Sequence, residues 1–171
     1  MVGSVATDVV ARGGSAVALI GPMFDLRLAR CGVVACVDGT PASRAVLDVA
    51  VRWAQLLAEP LVVMTVADPG PPLAEGAVRR RFGPQGDVDT WLELLTAPAR
   101  DTLGEMETAA VYDPISPVEG VRRFLNDRRP SIAVIGSHAR TGVSRLVHGS
   151  VTAGVVYQSP SPVLVVPRLE P

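Results

Sequence analysis

The stretch Ile132–Arg140 (IAVIGSHAR) and the pair Gly149–Ser150 decide the fold of this 171-residue chain. Four apolar residues, Ile132–Ile135, predict a buried strand. The strand runs into a glycine-containing loop, and Gly149–Ser150 precede a helix-like segment, Val151–Gln158. Backbone N–H groups at a helix start are unpaired and carry the positive end of the helix dipole. This order of elements therefore predicts a phosphate-binding loop that needs no lysine.

Outward from this loop, short apolar runs alternate with segments of helical periodicity. Thr40 is predicted to cap the first long helix, with Pro41 at its first position and its end before Pro60. Such alternation is typical of right-handed crossovers and a parallel sheet. The sequence predicts a doubly wound, Rossmann-like α/β fold of five mainly parallel strands with helices on both faces. The predicted strands are 32–37, 61–67, about 106–112, 132–135 and 163–166, and the later helices are 88–96, 117–127 and 151–158.

Composition narrows the class of protein further. Hydrophobic residues make up 48% of the chain and aromatic residues only 4%, so Val, Ala and Leu must fill the interior. The net charge of −1 predicts no general attraction to nucleic acid or anionic membranes. No apolar run reaches the roughly 18 residues of a membrane span. Cys31 and Cys36 fit no zinc-binding spacing, and we expect them to be reduced in a cytoplasmic protein.

The glycine loop resembles the nucleotide-binding signature of the universal stress protein family. That signature is Gly, two residues, Gly, nine residues, then Gly and Ser or Thr. Gly136, the nine-residue gap and Gly149–Ser150 match, whereas Ala139 stands where the second glycine belongs. The resemblance covers residues 31–168, which we take as the predicted domain. It includes the blocks Cys31–Ala50 (CGVVACVDGTPASRAVLDVA), Leu61–Pro69 (LVVMTVADP) and Ser161–Pro167 (SPVLVVP).

The resemblance implies a nucleotide site. Asp38 matches the residue that contacts the sugar and base region, and Val66 matches the position whose backbone meets adenine. Asp38 is also a plausible turn aspartate, Gly136 a strand-end turn glycine and Arg140 a solvated loop residue, and these alternatives stay open. His138 has no second ligand at metal-binding spacing, so we predict no metal bound by side chains. The implied nucleotide-binding residues are Asp38, Gly39, Thr40, Val66, Gly136, Ser137, His138, Arg140, Gly149, Ser150, Val151 and Thr152.

The sequence is compatible with three functions. The leading one is a cytosolic stress-response protein that binds ATP, with or without Mg²⁺, while AMP and cyclic AMP remain open. An alanine at position 139, if its φ is positive, costs roughly 1–2 kcal/mol and favours weakened binding. The alternative is an interaction or dimerisation module of the same fold that binds no nucleotide. A nucleotide-hydrolysing enzyme, the third reading, lacks a candidate general base, so we predict no catalytic residues and at most slow hydrolysis.

The first thirty residues repeat the end of the chain. Residues 3–20 align with residues 149–166 at a constant offset of 146, with seven identities in 18 pairs. We interpret residues 1–30 as the tail of an upstream module, a helix and a strand, plus a connector; chance similarity is the alternative. We therefore predict that Ala16–Ile20 forms a strand antiparallel to Val163–Val166. The pairing can be within one chain or exchanged in a homodimer through the final strand edge.

Overall fold

The computed structural model describes residues 9–10, 14–67, 85–113, 116–137 and 151–167. These residues form one six-stranded sheet covered by helices on both faces, with strand order β1-β6-β5-β2-β3-β4. The strands are β1 Val17–Leu19, β2 Val33–Val37, β3 Leu61–Ala67, β4 Glu107–Tyr112, β5 Ile132–Gly136 and β6 Val163–Val166. The helices are α1 Ala42–Leu57, α2 Gln85–Leu103, α3 Pro117–Arg128 and α4 Val151–Gln158, with a short 3-10 turn at Leu26–Leu28.

The doubly wound parallel sheet that the sequence predicts is confirmed, except that it has six strands rather than five. The five strands β2 to β6 are parallel to one another. The sixth, β1, pairs antiparallel with β6, with Val17 opposite Val165 and Leu19 opposite Val163. The predicted antiparallel pairing of the N-terminal strand with the last strand is thus confirmed, over Val17–Leu19 rather than the predicted Ala16–Ile20.

Alternate residues of the central strands fill two separate cores. Val33, Ala35 and Val37 of β2 pack on one face with α1 and α2. Val34 and Cys36 pack on the opposite face with residues of α3 and α4. Every residue of β2 is buried, which explains why its sequence is a continuous apolar run rather than an alternation of apolar and polar residues.

The start of α1 differs from the sequence prediction. The helix begins at Ala42, and Pro41 occupies the N-cap position without a side-chain capping bond. The Thr40 hydroxyl does not cap the helix; it donates to Asp38 Oδ1 at 2.6 Å. The carboxylate also accepts the Thr40 N–H at 3.1 Å, so Asp38 orders the turn that Thr40 was expected to order.

Helix α2 is longer than predicted, because Pro98 lies inside it rather than beyond its end. A proline inside a helix removes one hydrogen bond and crowds the preceding turn. Burial of Val88, Leu92 and Ala99 in the first core outweighs this local penalty. Arg44 of α1 also donates to the Leu95 carbonyl oxygen at 3.2 Å, in the turn before the proline.

Helix α3 approaches the sheet closely through a glycine. The structure starts it at Pro117, as predicted, and the Ser116 hydroxyl accepts the Glu119 N–H at 3.2 Å as its cap. A Cβ atom on Gly120 would lie 2.9 Å from both methyl groups of Val66 and 3.2 Å from the Cβ of Asp113. Only glycine allows this spacing between α3 and the end of β3.

Within the described parts of the chain, none of the helices has the length and apolar character that crossing a bilayer would require.

The two thiols should differ in reactivity. Cys31 is exposed, whereas Cys36 is buried in β2, and burial raises the pKa of the Cys36 thiol to about 12. Because the thiolate is the reactive form, Cys36 should stay unmodified at pH 8. We expect a thiol reagent to titrate one group per chain in the folded protein and two in denaturant. In the Cys31→Ser variant, no thiol should react with the reagent until the protein unfolds. Rapid modification of that variant in buffer would contradict the burial of Cys36.

Candidate functional site

The candidate site lies at the carboxyl edge of the sheet, where its winding reverses. From β2 the chain adds β3 and β4 on one side, then β5 and β6 on the other. Val37 is paired with Thr65, and Cys36 is paired with Ile135. Asp38 therefore leaves the sheet with Val66 on one side and the end of β5 on the other. In open parallel sheets, this reversal opens a crevice that accepts ligands.

The Asp38 carboxylate is held by the turn that follows it. Its Oδ1 accepts hydrogen bonds from the Thr40 N–H, the Thr40 hydroxyl and the Ser43 hydroxyl. Ser43 also accepts the Asp38 backbone N–H at 3.2 Å, and its side chain is buried in the first turn of α1. The turn reading of Asp38 is therefore correct, and it fixes the carboxylate in one orientation at the crevice.

Two further features fix the ends of β2 and β3. The buried Thr65 hydroxyl donates to the Val37 carbonyl oxygen at 2.8 Å, which joins the two strands just below the crevice. Gly39 has a φ of +76°, a left-handed conformation that a side chain would strain.

Val66 turns its side chain toward Gly120 of α3, so any contact it makes with a ligand in the crevice must come from its backbone.

On the other side of the crevice, the end of β5 is tied to the start of α4. The buried Thr152 hydroxyl donates to the Gly136 carbonyl oxygen at 2.9 Å. Ser137 is buried, and its N–H donates to Val166 at 2.8 Å. The described residues on either side of 138–150, Ser137 and Val151, are therefore held near one point of the sheet. A Cβ on Gly136 would lie 3.3 Å from a methyl group of Val46, so little room exists there for a side chain.

Five residues of the glycine motif lie outside the described residues: His138, Ala139, Arg140, Gly149 and Ser150. Their roles, including Ser150 as the cap of α4, stay predictions from the sequence. The other candidates are brought to one edge of the sheet, namely Asp38, Gly39, Thr40, Val66, Gly136, Ser137, Val151 and Thr152.

Sequence reasoning missed Ser43 and Thr65, although both stabilise the crevice. Ser43 carries a usable signal, since a serine in the first turn of a helix faces the residue that precedes the turn. Thr65 is a polar residue inside an apolar strand, and a buried hydroxyl needs a hydrogen-bond partner. Both signals indicate a structural contact rather than a ligand.

A second concavity, of about 1160 Å³, lies at the opposite, amino edge of the sheet. None of the candidate residues lines it. Charged side chains of both signs surround this concavity, so it offers no net attraction for phosphate. The charged residues that line it are Arg30, Arg100, Asp101, Glu105, Glu107, Asp127 and Arg128. We therefore assign the functional site to the carboxyl edge. Among the described side chains, no group of three His, Cys, Asp or Glu residues is placed to hold a metal ion.

Solved structures of known proteins share this fold. A universal stress protein solved in complex with cAMP has 22% sequence identity and a TM-score of 0.62 over 81% of this chain and 97% of its own. An Archaeoglobus fulgidus family member solved with dAMP has 20% identity and a TM-score of 0.59, with coverages of 81% and 99%. A search of curated proteins finds no significant match.

A longer relative matches more of the chain. A universal stress protein from Archaeoglobus fulgidus DSM 4304 aligns with 98% of this chain but only 55% of its own length, with 18% identity and a TM-score of 0.69. At these identities the solved structures show a shared fold. The sequence model of the universal stress protein family matches residues 32–167, well over half of the sequence. The chain therefore belongs to the universal stress protein family.

Proposed function

We propose that this chain binds an adenine nucleotide, ATP in the first instance, in the crevice at the carboxyl edge, as a regulatory module of a cytosolic stress response. One observation carries the proposal. The Asp38 carboxylate is held in a single orientation at the point where the sheet reverses, beside the anchored start of α4. A preorganised carboxylate can bind the sugar of a nucleotide, and the helix start beside it can bind the phosphate.

The chemistry of each group fits one part of a nucleotide. A carboxylate accepts hydrogen bonds from ribose hydroxyls, which suits Asp38. The N–H groups at the start of α4, including those of Val151 and Thr152, suit a phosphate. Gly136 lets a ligand approach the backbone without meeting a side chain. Any Mg²⁺ would be held mainly by phosphate oxygens and water, which is consistent with a site that brings few side-chain ligands.

The identity of the nucleotide is inferred from relatives. Two family members of the same fold were solved with cAMP and with dAMP, which supports an adenine base and leaves the phosphate number open. We name ATP before a monophosphate because the motif offers donors from residues 138–150 as well as from α4, enough for more than one phosphate. His138 and Arg140 would then contribute donors from the loop.

We expect binding without rapid turnover. Three donors already engage Asp38 Oδ1, so this carboxylate is poorly suited to serve as a general base. A bound nucleotide would change the surface that the protein presents to partners. The competing function, a module that binds no nucleotide, is favoured by Ala139 alone, and the experiments below separate the two.

A charge in the motif tests the site directly. Gly149→Asp places a carboxylate where the motif puts phosphate, and we expect ATP affinity to fall at least roughly tenfold, because like charges repel. Gly14→Asp is the matched control, since a Cβ at Gly14 meets nothing within 4 Å. Calorimetry with ATP should separate the two variants. Equal ATP affinity of the two variants would show that the crevice is not the binding site. If neither the variants nor the parent protein bind ATP, the interaction module is favoured.

The carboxylate contact is tested by Asp38→Asn. The amide keeps an oxygen for Thr40 and Ser43 but loses its charge, so binding of ATP should weaken roughly threefold to tenfold while the melting temperature changes little. Asp48→Asn, on the exposed side of α1, removes the same charge and should bind as the parent does. If the Asp38→Asn variant has a lower melting temperature but the same ATP affinity as the parent, Asp38 only stabilises the turn.

Ala139→Gly should tighten nucleotide binding. Restoring glycine at the motif position relieves backbone strain of roughly 1–2 kcal/mol if its φ is positive, which corresponds to about fivefold to thirtyfold in affinity. Titration of ATP against the parent and the variant measures the difference. Unchanged affinity would mean that alanine fits the loop without strain.

A further inference from the structure

The N-terminal segment reaches the helix whose start is the proposed phosphate site. β1 lies along β6, and the chain that leaves it meets the second half of α4 at Gly21. A Cβ atom on Gly21 would lie 2.0 Å from the Val156 carbonyl oxygen, a backbone atom that cannot move aside. The backbone of residue 21 therefore packs directly against the backbone of α4.

Space, and not backbone conformation, requires glycine at position 21. The φ of Gly21 lies outside the left-handed region, so alanine could adopt the same backbone angles. The helix is also open at the carbonyl that Gly21 contacts. The usual donor to Val156, one helical turn later, would be residue 160, and Pro160 has no N–H. The backbone of Gly21 lies against this carbonyl oxygen.

Two further contacts hold α4 in place. On the α3 side, a Cβ on Gly154 would lie 2.9 Å from a methyl group of Val118, so the two helices approach closely. On the sheet side, Val155 and Val156 are buried in the same core as Val10 of the N-terminal segment. A helix of eight residues is too short to be stable alone, so these contacts determine its position.

The position of α4 determines where its first N–H groups point. Val151 and Thr152 lie in its first turn, and Val156 lies about 7.5 Å farther along the axis than Val151 at the usual rise per residue. A shift at Val156 is therefore carried to the start of this short helix. Because a phosphate gains most when the free N–H groups converge on it, a displaced helix should bind it less well.

We propose that Gly21 is a positioning residue for the nucleotide site, and that the N-terminal segment, by packing on α4, sets the affinity for the phosphates of the nucleotide. The inference rests on the proposed function, since it assigns the start of α4 to phosphate. Asp38 and Val66 lie on the other side of the crevice, so their contacts with the sugar and base should not change.

The test compares Gly21→Ala with Gly14→Ala in the full chain. Each variant adds one methyl group, but a Cβ at Gly14 meets nothing within 4 Å. Calorimetry should show that Gly21→Ala binds ATP roughly threefold to tenfold more weakly than Gly14→Ala does, because α4 must shift. Adenosine, which has no phosphate, should bind both variants equally. An equal loss of affinity for ATP and adenosine would show general damage to the fold and overturn the positioning role.

Hydrogen exchange of the ligand-free protein separates this inference from the proposed function. The amides of residues 151–158 should exchange at least roughly threefold faster in Gly21→Ala than in Gly14→Ala, because a displaced helix opens more easily. Unchanged exchange, or unchanged ATP affinity beside a parent that binds ATP, overturns the inference and leaves the proposed function intact. If the parent binds neither ATP nor adenosine, the proposed function fails and the positioning role fails with it.

A second pair of variants covers the case in which Gly21→Ala fails to fold. Val10→Ala removes two methyl groups from the core that Val155 and Val156 share, whereas Val9→Ala changes a side chain that is about half exposed. Val10→Ala should show the same selective loss of ATP affinity on a smaller scale, about twofold to threefold, and Val9→Ala should show none. Equal ATP affinity of these two variants overturns the inference.

Discussion

Burial of the central strand on both faces is the constraint on which the rest of the structure depends. All five residues of β2 are buried, so helices must cover the sheet on each side. Right-handed crossovers meet that need only if the chain winds outward in both directions from β2. The reversal of winding sends the chain away from β2 and β5 in opposite directions, and this opens the crevice that Asp38 enters. The site follows from the way the core is covered.

Short polar side chains order the crevice through hydrogen bonds to Asp38 and to the ends of two strands. Ser43 and Thr40 hold Asp38, Thr65 holds the end of β2, and Thr152 holds the end of β5. Each is a short side chain with few rotatable bonds, so little conformational entropy is lost in fixing it. A ligand therefore meets acceptors and donors that are already oriented, which lowers the cost of binding.

The sequence predicts the regular parts of this fold well, because strands such as Leu61–Ala67 and helices such as Val151–Gln158 have clear periodicity and clear ends. It fails where a specific contact, tertiary or local, outweighs a propensity rule. Pro98 predicts a helix end, yet core burial carries α2 through it. Thr40 is a good cap by type, yet a carboxylate two residues earlier takes its hydroxyl. Thr65 was missed because a single polar residue in an apolar strand reveals its partner only once the strands are placed.

The close approach at Gly120 has a consequence for the width of the crevice. Gly120 packs against Val66 on the helix-covered face of the sheet. The side chain of Val66 packs against Gly120, so the distance between α3 and the sheet determines the position of the last residues of β3. Relatives with a bulkier residue at the equivalent point would hold that strand end farther out. Selectivity for a ligand can thus be tuned from the back of the sheet, by a position that no inspection of ligand contacts would identify.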